Sequence, residues 1–144
     1  MMSPVYKLKD YKETIKFEKE HPAQLRWEPS YKLYMLQEEK NFQGIWLKEK
    51  LDLIGEILLS WQSTNVLHID GFTVLPNHRG KGLGHELIRL AIEWGTNSDY
   101  NYLTGEARKG ASWKIFQNFG ATEILTYKNW ENTKEDYVSF KLDL

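Results

Sequence analysis

The chain has 144 residues, 41% of them hydrophobic and 27% charged, with a formal net charge of −1 and no cysteine. That length suits a single domain over residues 1–144, whose core needs no metal or disulfide staple. The lack of Cys excludes disulfides, thiolate catalysis and Cys-based zinc sites, and the near-neutral charge gives no basic footprint for nucleic acid.

Residues 5–9 read as a first short strand and residues 10–20 as a charged helix, with Tyr11, Ile15 and Glu18 tracing one face. Residues 21–40 are the least legible block: Pro22 and Pro29 bracket a turn-rich stretch, and residues 31–37 fit helix or strand equally. From Phe42 the pattern sharpens into a hairpin, residues 42–48 and 53–61, across a polar turn at 49–52. Gly55 inside its second strand marks a close approach or a bulge. Residues 66–75 form a third long strand. The next helix sets Leu83, Leu87, Leu90, Ala91 and Trp94 on one face and is expected to stop at Gly95, a natural C-terminal cap. A strand at 101–107, a short helix at 110–119 and strands at 121–130 and 136–142 complete the chain. Strands and helices alternate only in the middle, with antiparallel hairpins at both ends. The expected class is therefore mixed α/β (α+β), with a central mixed twisted sheet of about six to seven strands flanked by about four helices.

No repeat, low-complexity tract or linker interrupts the chain. No apolar run approaches membrane-spanning length, and no basic start, apolar run and cleavage site form a leader, so a cytoplasmic location without membrane partners is expected.

The run from Val74 to Gly84 carries the chemistry. It follows a strand and opens a helix, and Gly80, Gly82 and Gly84 let the backbone turn sharply and approach a ligand without Cβ atoms in the way. The amide N–H groups of the turn and of the new helix converge there on an anion, helped by the positive end of the helix dipole, with Arg79 and Lys81 adding charge. Neither the Walker A spacing nor G-x-G-x-x-G fits, because the sixth position of the latter, with Gly80 as its first, is His85 and, with Gly82 as its first, is Leu87. What fits is [QR]-x-x-G-x-[GA] at Arg79, Gly82 and Gly84, preceded by V-x-P at Val74 to Pro76. In these residues the chain resembles the GNAT superfamily of N-acyltransferases, most strongly from Phe42 onward. The resemblance implies the GNAT fold and acetyl-CoA as acyl donor. It implies that the amides of Gly80, Lys81, Gly82, Leu83, Gly84 and His85 hold the pyrophosphate with Arg79, and that the main chain of Phe72, Thr73 and Val74 pairs with the pantetheine arm as an added strand.

A second stretch, Ala107 to Ala121, is similar to the family pattern N-x-x-[AS]-x-x-x-Y-x-x-x-G-F. Ser112 and Gly120 match it. Lys109 stands where the family often has a cofactor-touching Asn, Ala121 where it has Phe, and Phe116 where it has the Tyr commonly assigned as general acid. Phe has no proton to give a departing thiolate. Transfer to an amine also needs a base, since an ammonium of pKa ~10.4 is no nucleophile at neutral pH. Strict alternation on the strand before the loop puts His68, Asp70 and Phe72 on one side, which makes His68 and Asp70 candidate bases, with Glu106 on the neighbouring strand as a third. His68, His78 and His85 fall on a strand, a loop and a helix start without helical metal-pair spacing, so no metal is expected, and His78 and His85 are placed beside the cofactor phosphates.

The function this implies is an acetyl-CoA-dependent N-acetyltransferase acting by direct transfer to a primary amine of a small molecule, peptide or protein. The alternative is a CoA-binding sensor or interaction domain that has lost catalysis, as Phe116 allows. The sequence is compatible with a monomer or a homodimer, and Trp27 is the residue of the 21–40 block expected near the acceptor.

Overall fold

The computed structural model describes residues 2–6, 13, 16, 17, 41–129 and 135–144. Its strands are β1 (Met2–Val5), β2 (Phe42–Glu49), β3 (Asp52–Ser60), β4 (Val66–Val74), β5 (Tyr102–Arg108), β6 (Thr122–Tyr127) and β7 (Tyr137–Asp143). They form one seven-stranded sheet in the order β1-β2-β3-β4-β5-β7-β6. Every neighbouring pair is antiparallel except β4 and β5, which run parallel, so the sheet is mixed as the terminal hairpins required. The first strand lies earlier than expected. Pro4 within it is tolerated because β1 is an edge strand.

Two α-helices, α1 (Leu83–Asn97) and α2 (Ala111–Asn118), have defined bounds among the described residues, fewer than the four or so expected. Glu13, Lys16 and Phe17 are helical within the stretch read as a first helix, while residues 18–40, with Trp27 and the ambiguous segment 31–37, lie outside the described residues.

The main core lies on the sheet face that the helices cover. Ile45, Leu47, Ile57, Leu59, Leu67 and Leu103 are fully buried there against Leu87, Ile88 and Ala91 of α1 and Phe116 of α2. Trp46 and Leu58, one residue out of phase with those strand positions, form a smaller cluster on the opposite face with Val5, Phe42 and Leu53. α1 does not stop at Gly95 but continues to Asn97. Gly95 is fully enclosed inside the helix: an added Cβ would sit 2.9 Å from Leu144 Cδ1 and 3.2 Å from Leu67 Cδ2, so the residue permits close packing instead of capping.

Two features of β4 position the site. Its register against β3 pairs Leu58 with Gly71 and Leu59 with Ile69, which leaves Asp70 as an extra, bulged residue. The bulge inverts the alternation. Leu67 and Ile69 lie in the helix-side core, and so do Phe72 and Val74 beyond the bulge, whereas strict alternation grouped Phe72 with His68. The second feature is divergence. β4 pairs with β5 only over Val66–His68 and Tyr102–Thr104, although both strands run further. Past these pairs the strands part and open a slot through the sheet.

Candidate active site

The slot widens into a cleft of about 1460 Å3. One wall is His68, the last residue of β4 paired with β5, with the open half of that strand from Ile69 to Val74, and the other is Glu106 to Gly110. The glycine loop closes one end and the first turn of α2 forms part of the floor. Of the candidate base and donor-binding residues named from sequence, all line this cleft except Lys81, which is exposed.

At the loop, Gly80 and Gly82 have φ values of +77° and +79°, and a Cβ added at either meets nothing within 4 Å. Both the left-handed backbone and the open space in front of it are what a cradle for a bulky anion requires. The first helical backbone bond of α1 runs from Glu86 N–H to the Gly82 carbonyl, so the N–H groups just before it have no acceptor within the helix. Gly84 differs from the other two. Its missing Cβ faces Ile115 Cδ1 at 3.1 Å and Phe72 Cζ at 3.3 Å, so it serves the contact between the loop, β4 and α2. Arg79 reaches back, its Nε donating to the Val74 carbonyl at 3.0 Å, and ties the loop to the end of β4. Thr73 Oγ1 and His78 Nδ1 are buried in the cleft wall with no hydrogen-bond partner among the described residues. Room, donors and unsatisfied polar atoms thus fit an extended, phosphate-bearing acyl donor such as acetyl-CoA.

At the opposite end, His68 and Glu106 approach one another across the mouth of the slot, with Nε2 3.6 Å from Oε2 and each side chain 37% exposed. His68 Nδ1 and Thr104 Oγ1 share a hydrogen bond of 2.8 Å, which fixes the ring so that Nε2 faces the cleft. Glu106, as hydrogen-bonding partner and as charge, raises the His68 pKa above its ordinary 6.5; burial opposes this and the Asp70 charge adds to it. Asp70 lines the same wall. Phe116 is 2% exposed, its ring 4.3 Å from that of Phe140 and 5.6 Å edge-on to that of Phe72. Its place in the second signature is thus filled by a core residue whose edge reaches the cleft. Ser112 and Lys109 border the cleft beside it. Among the described residues no cluster of three metal-ligating side chains occurs.

The structure adds Arg108, Glu135 and Tyr137 to the cleft, none of which stood out in the sequence. Arg108 Nε donates to Tyr137 Oη at 2.8 Å and lies 3.1 Å from Glu135 Oε2. Tyr137 is itself buried, on the face of β7 opposite the core residues Val138, Phe140 and Leu142, and its pairing with Arg108 brings it to β5.

The comparisons agree with this geometry. The solved structures similar in fold include the ribosomal-protein-S18-alanine N-acetyltransferase of Escherichia coli, at 15% identity over 99% of this chain and 94% of that one, with a TM-score of 0.81. Ard1 of Thermoplasma volcanium matches at 14% identity over 98% and 97% of the two chains, TM-score 0.81. A GNAT family acetyltransferase of Elizabethkingia anophelis, solved with acetyl-CoA bound, matches at 16% identity over 99% and 98%, TM-score 0.74. No curated protein matches the sequence. The model of the acetyltransferase (GNAT) family matches residues 8–121, which takes in the glycine loop, the bulged strand and all of α2. The chain belongs to the GNAT acetyltransferase family.

Proposed function

We propose that the protein is an acetyl-CoA-dependent N-acetyltransferase that transfers the acetyl group directly to a primary amine. The observation that carries this reading is a single cleft that joins an open glycine cradle to a His68–Glu106 pair through a slot between two parted strands. The N–H groups from Gly82 to His85 would hold the pyrophosphate, with Arg79 and His78 beside them, and the unpaired side of β4 from Phe72 to Val74 would take the pantetheine arm. Bound there, acetyl-CoA would supply the thioester carbon that the amine attacks, with CoA thiolate as the leaving group.

The chain's own task is then to position the amine and remove its proton. Neutral His68 takes the proton at Nε2, Glu106 stabilises the imidazolium that results, and Thr104 keeps the ring in place. Asp70, the other base candidate, acts here through its charge on His68. Phe116 gives no proton, so the thiolate leaves unassisted or is protonated by water. The rising limb of the pH profile should therefore have no falling partner from a Tyr-like acid. A second reading, a CoA-binding domain without catalysis, draws on that same buried Phe116.

Acetyl-CoA should raise the melting temperature without added metal, by an amount that grows with the logarithm of its concentration. Titration calorimetry and a thiol-release assay against a panel of amines separate the two readings: binding with release supports the enzyme, binding without release the sensor. No binding at millimolar acetyl-CoA refutes both.

A further inference from the structure

The slot has a blind end, and its construction bears on the group that the donor can carry. His68 and Thr104 are the last residues paired between β4 and β5, so Ile69 and Gly105 are the first residues of the two strands to part. Gly105 lies opposite Phe140 of β7 in the sheet register. Because Gly105 has no side chain, two others converge on the space that one would fill: an added Cβ would sit 3.0 Å from Phe140 Cζ and 3.3 Å from Ile69 Cβ. Phe140 is buried and is itself backed by the rings of Trp113 and Phe116, with centroids 5.9 and 4.3 Å away. Ile69, Ala107 and Phe116, all buried, present the cleft-facing surface of this block. The slot therefore ends on close-packed apolar core, and such cores yield little to an extra methylene.

Resting on the acetyltransferase reading above, we propose that this block sets the length of the acyl group: Ile69, backed by Phe140 over Gly105, admits acetyl and refuses the four-carbon butyryl group. The donor's arm enters from the glycine loop and runs along β4 from Val74 towards Ile69, so the acyl group is its leading end. The thioester carbon must stop where an amine held at His68 Nε2 can reach it. Ahead of it the paired backbone of His68 and Thr104 closes the sheet, and beneath it the Ile69 side chain closes the slot. Two further methylenes then push core side chains off their rotamers or draw the arm back along β4. Turning outward offers only the space between His68 and Glu106, which the amine itself needs.

The test needs no acceptor. Dissociation constants of CoA, acetyl-CoA and butyryl-CoA are measured by calorimetry for the wild type, Ile69→Ala and Phe140→Leu, and each acyl-CoA is expressed relative to CoA in the same protein. In the wild type butyryl-CoA should bind at least tenfold more weakly than acetyl-CoA. Ile69→Ala, which removes the facing surface, should cut that deficit at least fivefold. Phe140→Leu, which thins the backing, should cut it in the same direction and keeps the test decisive if the alanine variant melts early. A variant that is merely looser as a fold weakens all three ligands alike and leaves the ratios at their wild-type values. A smaller deficit in the wild type, or one that persists in both variants, overturns the assignment. Failure of the wild type to bind CoA itself brings down the acetyltransferase reading instead, and this one with it.

Discussion

Glu106→Gln is expected to lower kcat by about 10² to 10⁴, the usual contribution of a positioned acid–base group. The sign of the accompanying pH shift is fixed by the geometry. In the wild type Glu106 holds the His68 pKa above 6.5, so neutral imidazole, the form that accepts a proton, accumulates only above that raised value. The amide of Gln keeps the shape but removes the negative charge, and burial then acts on His68 with less opposition and lowers its pKa. The rising limb of the residual activity should move to lower pH while its plateau drops, because the base is more often neutral but weaker. His68→Gln should lose activity to a similar extent and lose that limb altogether. Both follow from the pH dependence of kcat at saturating acceptor. Wild-type turnover in both variants would remove this pair from the mechanism.

The second large effect belongs to the loop. Gly82→Val should weaken acetyl-CoA binding by at least about 100-fold, or some 2.7 kcal/mol, as read by calorimetry. The φ of +79° is unfavourable for a β-branched residue, at about 1–3 kcal/mol, yet the new side chain meets no protein atom within 4 Å of its Cβ. The fold should therefore persist with a modestly lower melting temperature, and the binding loss reports occupation of the cradle. Gly84→Val makes the informative contrast. Its Cβ would press on Ile115 and Phe72 at 3.1 and 3.3 Å, so overpacking of about 1–3 kcal/mol should appear as lost stability even without ligand. Undiminished affinity in Gly82→Val would show that the anion binds elsewhere.

What the sequence made legible follows from what local pattern can encode. The β2–β3 hairpin shows alternation long enough to be unambiguous, and the glycine loop has a spacing that only a few backbone geometries satisfy. Gly95 misleads because a glycine near a helix end signals a cap by default, and its actual role depends on Leu144 and Leu67, far away in the chain. The single extra residue at Asp70 leaves no mark in a period-two pattern, so the strand reads as regular while its second half has turned over. The pairing of His68 with Glu106, and of Arg108 with Tyr137, is a product of strand order and register, which no local window contains. The acid–base residues could be named as candidates from their chemistry; which of them meet could not.

The parting of β4 from β5 has a consequence for where the sheet keeps its unpaired backbone. Unpaired strand backbone normally lies at the rim of a sheet, where it invites any passing extended segment and must be blunted to prevent aggregation. Here such backbone lies inside the sheet, between two covalently continuous walls and beneath two helices. An extended segment can reach that backbone only between walls the chain itself holds, so the adhesive edge that endangers other β proteins is enclosed here instead of blunted, and under the proposed function it is kept for the extended arm of the acyl donor.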